Sequence, residues 1–300
     1  MEYQYPITIL TPSYNREKYL PVLYKSLCAQ SIQNFQWLII DDGSTDDTEN
    51  IVLNFSNHQF LLEYYKKENG GKHTALNYSH PYIKGEYICI VDSDDWLVDN
   101  AIEIIVEKQK KYESYDNVKM LTFLKGKNET TPLCNNFPDS PTVSNHIDFR
   151  VNAQRKNDCC EVIQSDVFKE FPFPIFKGEK FLGEGYLWNR AGYKYDTVYI
   201  NELIYMCDYL DGGLSKEGRR LRISCPYGGM ANCNSFFIND SNRCVSKKII
   251  IKEVWLFICY GKFAGLKYRE IKNKCLRQDL IYKNYLFGYM LYLFWKCKYM

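Results

Sequence analysis

An apolar run that ends in a cluster of acidic residues occupies positions 87–95, YICIVDSDD. A short β-branched and apolar run of this kind predicts a buried strand, which places Asp92, Asp94 and Asp95 at its carboxyl end. Carboxylates this close repel one another unless a cation or hydrogen-bond donors compensate. Hard oxygen ligands favour Mg²⁺ or Mn²⁺, an ion that shares its shell with water and phosphate oxygens and so implies a diphosphate ligand. The alternative interpretation is a solvated acidic turn before a helix that starts near Asn100.

From Ile7 to about Phe123, short apolar runs alternate with helical stretches. This alternation predicts βαβ units around a parallel sheet. The predicted strands cover residues 7–10, 37–41, 61–65, 87–91 and, more weakly, 118–123. The predicted helices cover residues 19–30, 45–55, 73–83 and 100–112. Ser44 or Thr45 is expected to cap the second helix. These patterns predict an α/β fold.

Polar residues follow each of the first four predicted strands. The segments are TPSYNR at 11–16, DDGS at 41–44, ENGGK at 68–72 and DSDDW at 92–96. Ligands gather at the carboxyl ends of strands in an open parallel sheet, so the four segments predict one shared site.

The pair Gly70-Gly71 with Lys72 at a helix start suits a phosphate, although a glycine pair is more often a plain turn. Neither a Walker pattern nor a Gly-x-Gly-x-x-Gly follows the first strand. The sequence therefore lacks the main motifs that would indicate an ATPase or a dinucleotide-dependent enzyme.

Composition limits the remaining classes of function. The 38 Lys and Arg against 36 Asp and Glu give a formal charge of +2, which demands no nucleic-acid partner. The twelve cysteines contain no C-x-x-C pair, so a zinc ribbon is not expected. The first residues lack a basic segment followed by a long apolar core, which predicts a cytoplasmic protein with reduced thiols. Cys28 and Cys89 are interpreted as small buried hydrophobes.

The last third of the sequence is apolar and aromatic over residues 249–266 and 280–297. Lys252, Glu253 and Lys262 interrupt the first run and Lys283 the second, so neither reaches the roughly 18 uninterrupted apolar residues that a membrane-spanning helix needs. One interpretation is helices that lie in a membrane interface, where aromatic rings and cationic side chains both find suitable surroundings. The other is amphipathic helices that pack on the preceding domain.

The polar segments, taken in their order and spacing, resemble the motifs of family 2 glycosyltransferases with the GT-A fold. The matching residues are 11–16, 40–46 (IDDGSTD), 69–72, Ala75 with Asn77, and 92–95. The resemblance covers about residues 5–210. It implies a mostly parallel nucleotide-binding sheet flanked by helices, a GT-A catalytic domain at 1–215 and a C-terminal helical extension at 216–300.

The resemblance also implies which residues bind the donor and the metal. The first-strand loop and Asp42 are expected to hold the nucleoside, Asp92 the ribose, and Asp94 or Asp95 a Mg²⁺ or Mn²⁺ cofactor. The whole expected donor-binding set is Thr11, Pro12, Tyr14, Arg16, Asp42, Gly71, Lys72, Asn77, Asp92 and Ser93.

A catalytic carboxylate is implied roughly ninety residues beyond the metal motif, at the head of a helix that carries an aromatic residue and an arginine. Glu184 fits this place, with Trp188 and Arg190 after it. The family often has a second carboxylate directly after the first, whereas Gly185 stands here. Glu179 is the nearest competitor, and an exposed glutamate at a helix start is the plain alternative.

The function that these implications predict is inverting transfer of a sugar from a nucleotide-sugar, with UDP as the family-level expectation, to an acceptor hydroxyl. The expected acceptor is a polysaccharide or a lipid-linked saccharide of a bacterial pathway, met by a peripheral protein at the inner face of the cell membrane. A sugar nucleotidyltransferase and a non-catalytic carbohydrate-binding or scaffold protein are the alternatives.

Overall fold

The computed structural model describes residues 3–56, 58–128, 130–133, 135–155, 158–207, 214–238 and 242–300. The chain forms two compact units, each built from three segments. Unit 1 comprises Met1–Ser144, Lys156–Pro172 and Tyr195–Asp208, and unit 2 comprises Asn145–Arg155, Phe173–Lys194 and Tyr209–Met300. The predicted boundary at residue 215 concerns where the catalytic domain ends, which compactness alone does not define, and it stays a prediction.

Unit 1 is built around one sheet, to which ten strands of the described ranges belong. The strands are β1 (Tyr5–Ser13), β2 (Gln36–Asp41), β3 (Leu61–Lys66), β4 (Gly85–Ile90), β5 (Trp96–Leu97), β6 (Val118–Asn128), β7 (Thr131–Pro132), β8 (Thr142–Asn145), β9 (Cys159–Gln164) and β10 (Asp196–Met206). Their order is β3-β2-β1-β4-β9-β6-β10-β5, with β7 beside β6 and β8 beside β10.

Parallel pairing of the first four strands fixes where their loops go. β1 runs parallel to both β2 and β4, and β2 runs parallel to β3. β9 lies between β4 and β6 and is antiparallel to both. β2 is buried along its whole length, which is why it reads as a continuous apolar run rather than an alternating one.

The helices of unit 1 flank this sheet. They are α1 (Leu20–Cys28), α2 (Thr48–Leu53), α3 (Lys72–Tyr78), a 3₁₀ turn (His80–Tyr82), α4 (Ala101–Tyr112) and α5 (Ser165–Glu170). The predicted α/β class and the first four strands are confirmed. The fifth strand is longer than predicted, because β6 continues to Asn128.

Two local predictions are wrong. α2 begins at Thr48 with Asp47 as its N-cap residue, so neither Ser44 nor Thr45 caps it. The physical reason is that Ser44 Oγ accepts a hydrogen bond from Asn15 N (2.8 Å), and Thr45 N donates to Asn15 Oδ1 (2.8 Å), which keeps both residues in the loop. Cys89 is buried as expected, but Cys28, the last residue of α1, is exposed.

Unit 2 is helical. Its elements are a π-helical turn (Ile147–Asn152), α6 (Gly185–Lys194), α7 (Leu214–Ser224), α8 (Pro226–Asn234), α9 (Lys247–Phe263), α10 (Tyr268–Lys274) and α11 (Gln278–Tyr299). Its core includes Val254, Phe257 and Ile258 of α9 with Ile281 and Trp295 of α11, all at most 3% exposed. None of the helices in the described ranges combines the length and apolar character that crossing a bilayer requires.

Candidate functional site

The loops that follow β1, β2, β3 and β4 are connected by hydrogen bonds and ion pairs at one edge of the sheet. Asp42 N donates to Ser13 O (2.7 Å), which joins the first two loops. Lys67 N donates to Asp41 O (2.9 Å), which joins the second and third. The structure therefore brings together the four polar segments that parallel pairing predicted to meet.

The carboxylate of Asp42 organises the loop after β3. Oδ1 accepts from Lys67 Nζ (2.6 Å) and Gly70 N (2.9 Å), and Oδ2 accepts from Gly71 N (2.6 Å) and Asn69 Nδ2 (3.1 Å). These donors occupy the acceptor sites that a carboxylate offers. Asp42 is 3% exposed, and its predicted contact with a nucleoside stays a prediction.

The glycine pair is arranged differently from the phosphate cradle that its sequence suggested. Gly71 has φ = 95°, a conformation that favours glycine, and this turn aims its N–H at Asp42. Lys72 is the first residue of α3, and its Nζ donates to Asp92 Oδ1. The glycine amides thus hold the loop, and the cationic group of this segment lies at the aspartate cluster.

The segment predicted as the loop after the first strand separates into buried residues that belong to the end of β1 and more accessible residues that follow it. Thr11 is fully buried and its hydroxyl accepts from Trp37 Nε1 (3.0 Å), and Pro12 beside it is buried as well. Tyr14 is 45% exposed, and Arg16 NH2 lies 3.9 Å from Asp94 Oδ2. Of the four nucleoside-binding residues predicted here, Tyr14 and Arg16 are the two whose side chains are not buried, and all four roles stay predictions.

The three aspartates of residues 92–95 have different surroundings. Burial raises the pKa of Asp92, but the charges of Lys72, Lys125 and Arg16 outweigh this effect and lower it. Burial, with the charges of Asp92 and Asp94, raises the pKa of Asp95 to about 7, although the hydrogen bond from Tyr205 lowers it. Asp94 keeps 22% of its side chain exposed. The three carboxyl groups are therefore not equivalent, and Asp94 is the one that neither Lys72 nor Tyr205 holds.

Tyr205 connects the aspartate cluster to β10 and was missed by the sequence analysis. Its hydroxyl donates to Asp95 Oδ2 (2.6 Å) and accepts from Asp92 N (3.0 Å), so one buried group fixes both ends of the motif. Lys125 Nζ lies 4.1 Å from the centre of the Tyr205 ring and 3.5 Å from Asp158 Oδ1. No sequence motif marks Tyr205 or Lys125, because only the sheet order brings β6 and β10 to this edge.

The donor set at this edge fits a divalent cation that is shared with a ligand. In the ranges that the structure describes, no three His, Cys, Asp or Glu side chains form a ready protein cage. Mg²⁺ is commonly bound through one or two carboxylates with water and substrate phosphates completing its octahedron. Asp94 offers such a carboxylate, with Arg16 and Lys72 nearby as additional cationic groups for a diphosphate.

Three further polar side chains near this edge of the sheet are buried or half-buried. Ser93 is buried at 5% exposure, and Asn77 is half-buried in α3. Ser13, the last residue of β1, was not predicted. Its hydroxyl is buried and has no hydrogen-bond partner among the described residues. A buried hydroxyl in this condition costs free energy that a bound partner would recover.

Glu184 and Glu179, the two candidate catalytic carboxylates, both lie in unit 2. Glu184 precedes α6, and its carbonyl accepts from Leu187 N (2.9 Å) and Trp188 N (3.2 Å) in the first turn. Glu179 Oε1 accepts from Tyr227 N (2.8 Å) and Oε2 from Gly228 N (2.7 Å), at the start of α8. Glu179 thus satisfies amides of a helix N-terminus that have no partner within the helix, a structural role that leaves Glu184 as the better candidate for chemistry.

Comparison with known proteins identifies the family. Residues 8–162, more than half of the 300, match the sequence model described as Glycosyl transferase family 2. The chain belongs to this family. The family resemblance predicted from the motifs is confirmed.

Two curated relatives of this family 2 chain are similar to it over about a third of its length. The glucosyltransferase WfgD of Escherichia coli is 34% identical over 110 residues, which cover 36% of this chain and 42% of WfgD. Another curated relative, glycosyltransferase GlyA of Streptococcus pneumoniae, is 33% identical over 36% of this chain, but only 16% of its own length is matched. The chain therefore spans less than half the length of these two relatives.

A solved structure confirms the GT-A fold. Staphylococcus aureus TarS 1–349, crystallised with UDP, superposes with a TM-score of 0.66 at 15% identity, over 94% of this chain and 88% of TarS. At this identity the likeness concerns the fold alone.

Proposed function

We propose that this protein transfers a sugar from a UDP-sugar to an acceptor hydroxyl with inversion of configuration, and that the acceptor is a lipid-linked or polysaccharide saccharide. The observation that carries the proposal is the convergence of Arg16, Lys72 and the aspartates 92–95 where β1 and β4 end, in a family 2 chain. The relative WfgD, whose name describes a UDP-glucose donor and a diphosphoundecaprenol-linked acceptor, supports both parts. The structure of TarS in complex with UDP supports the proposal that the nucleotide of the donor is UDP.

The donor is proposed to bind at the carboxyl ends of β1–β4. Tyr14 and Arg16 border the nucleoside, Asp92 and Ser93 lie at the ribose, and Lys72 contacts the diphosphate. Asp94 is the proposed ligand of Mg²⁺ or Mn²⁺, because Asp95 accepts a hydrogen bond from the Tyr205 hydroxyl and Asp92 is paired with Lys72. The cation supplies charge neutralisation for the leaving diphosphate.

Glu184 is proposed to act as the general base. Its carboxylate takes the proton from the acceptor hydroxyl while that oxygen attacks the anomeric carbon from the face opposite the nucleotide. The glycosidic bond to the diphosphate breaks, UDP leaves with the bonding electron pair, and a single displacement inverts the anomeric centre. Arg16 and Lys72 stabilise the charge that develops on the leaving group.

The experiment for the donor site compares Asp94→Ala with Asp99→Ala, a nearby exposed carboxylate that serves as the matched control. Calorimetry with UDP-sugars, with and without Mn²⁺, should show that Asp94→Ala loses the metal-dependent part of donor affinity while Asp99→Ala keeps it. Equal metal dependence in both variants would contradict the assignment of Asp94.

The experiment for the base compares Glu184→Gln with Glu179→Gln. Glu184→Gln should bind donor normally and lose turnover by about 10²–10⁴-fold, the usual contribution of a general base. Glu179→Gln should lower the unfolding temperature, since the charge at the start of α8 is lost, and keep turnover. The reverse pattern would assign the base to Glu179. Release of UDP only when acceptor is present separates transfer from nucleotidyl transfer and from simple binding.

A further inference from the structure

Helix α11 carries a continuous apolar and aromatic face that is open to solvent. The exposed fractions of its side chains range from 44% for Leu293 to 80% for Tyr282. The α11 face consists of Tyr282, Leu286, Phe287, Met290, Leu293 and Phe294. At about 100° per residue these positions fall within an arc of about 140°, so they form one stripe along the helix.

The opposite side of α11 is already used by the core of unit 2. Ile281, Gly288 and Trp295 are buried there, and Gly288 packs against Ile258 of α9. Asn284 Oδ1 accepts from Trp255 Nε1 (2.8 Å). The helix is therefore anchored by one side, and the α11 face is not needed to build the core that the described residues form.

Charge distinguishes this end of the chain from the rest. Residues 247–300 contain twelve Lys and Arg and three Asp and Glu, a formal net charge of +9, which leaves residues 1–246 at −7. On α11 itself Lys283 lies within the apolar arc, and Lys296 and Lys298 fall just outside its two edges. All three are exposed.

We propose that the α11 face docks on an anionic membrane surface, with its apolar side chains in the interfacial region and its lysines at lipid phosphates. Exposed rings and aliphatic side chains beside lysines suit the boundary between acyl chains and headgroups. Cationic groups near an anionic surface add attraction that salt screens. Two copies of the face would instead bring two strongly cationic segments together, which disfavours a dimer through α11.

The inference deepens the proposed function because a lipid-linked acceptor lies in such a surface. Only the link between docking and the lipid-linked acceptor rests on the proposed function, since docking itself needs neither donor nor acceptor. A failure of docking with intact donor binding would overturn the docking alone. Conversely, a failure of donor binding with intact docking would overturn the catalytic proposal alone.

The experiment measures co-sedimentation of the full chain with vesicles of phosphatidylcholine alone and of phosphatidylcholine mixed with phosphatidylglycerol. The wild type should bind the mixed vesicles and be released by salt. Leu286→Ser with Phe294→Ser should lower the apparent partition coefficient about tenfold or more. Leu53→Ser, an equally exposed leucine on α2 at 69% exposure, is the control and should bind as the wild type does.

A second pair of substitutions tests the charge. Lys296→Gln with Lys298→Gln should remove much of the preference for anionic vesicles and of the salt dependence. The proposal is overturned if the wild type ignores both kinds of vesicle, or if the Leu286→Ser, Phe294→Ser variant binds as well as the wild type. It is also overturned if sedimentation velocity shows a wild-type dimer that this variant abolishes, since the occupant is then a second copy. Circular dichroism verifies that each variant is folded.

Discussion

At the scale of single residues, the Tyr205 hydroxyl holds the aspartate motif in place. Tyr205→Phe leaves Asp95 Oδ2 and Asp92 N without this partner in a buried setting. We expect a loss of about 1–3 kcal/mol in unfolding free energy and a weaker metal-dependent affinity for UDP-sugar. Urea denaturation and calorimetry measure the two effects. Tyr112→Phe, which removes a hydroxyl from another buried ring of unit 1, is the control, and equal donor affinity in both variants would contradict the positioning role.

Glu253 of α9 provides a prediction about pH. It is 6% exposed, and burial raises its pKa, although the charge of Lys252 and a hydrogen bond from Cys233 lower it. The folded state then binds more protons than the unfolded state above the ordinary glutamate pKa, so stability is lost as pH rises through the raised pKa.

Glu253→Gln removes this ionisation and keeps the shape. The variant should be more stable than the wild type at pH 8, and the difference should shrink towards pH 4. Urea unfolding at several pH values checks this. A stability difference that is constant with pH would show that Glu253 does not titrate as described.

The sequence indicated some site residues and concealed others for a physical reason. Asp92, Asp94 and Asp95 are neighbours in the chain, so their repulsion and their place after an apolar run were visible. Tyr205 lies 113 positions from Asp92, and only the pairing of β10 with β6 and β5 brings it there. Thr11 was assigned a ligand role by resemblance, but whether its hydroxyl faces a ligand or Trp37 depends on packing.

At the scale of elements, α9 and α11 approach closely because Gly288 has no side chain. A Cβ at this position would lie 2.5 Å from Ile258 Cβ and 3.0 Å from Trp255 O. Gly288→Ala should therefore force the helices apart and cost about 1–3 kcal/mol. Gly185→Ala in α6, where the added Cβ meets only Asn232 Oδ1 at 3.7 Å, should be neutral or stabilising. Equal melting temperatures for the two variants would refute the close-packing argument.

Element boundaries were predictable where local chemistry decides them. β2 reads as an apolar run and was found within one residue of its predicted start. α2 begins three residues later than predicted, because Asn15, from a loop 30 positions earlier, takes the hydrogen bonds of Ser44 and Thr45. β9 and β10 lie outside the predicted strands, since nothing local shows that β9 reverses direction between β4 and β6.

At the scale of the whole molecule, the segments of the two units alternate along the chain. Within unit 2, Asn189 Nδ2 donates to Ser235 Oγ (2.8 Å), and Tyr193 OH donates to Phe236 O (3.0 Å). A chain ending at residue 215, the predicted domain boundary, would lose these partners together with those of Glu179. We expect it to bind the dye ANS and to aggregate, as measured by fluorescence and light scattering. A monomeric truncated chain with cooperative unfolding and donor binding would support the predicted boundary.

The formal charge of the whole sequence does not show how unevenly charge is distributed along the chain. A formal charge of +2 over 300 residues excluded a strong global field, yet −7 and +9 lie on either side of residue 246. In unit 2, α11 buries one side in the core and exposes the other, as an amphipathic helix does, and the interpretation that it lies in a membrane interface stays a proposal. Sequence periodicity alone did not separate the two sides, because aromatic residues occur on both.

The alternation of segments also has a consequence for synthesis on the ribosome. Residues 173–194 emerge well before α8 and α9, the helices with which they share unit 2. At roughly 5–20 residues per second, the nascent chain waits for several seconds with Asn189 and Tyr193 lacking their hydrogen-bond partners Ser235 and Phe236. Holdase chaperones have their main opportunity in this interval, and slow codons placed just after residue 194 would lengthen it and lower the soluble yield.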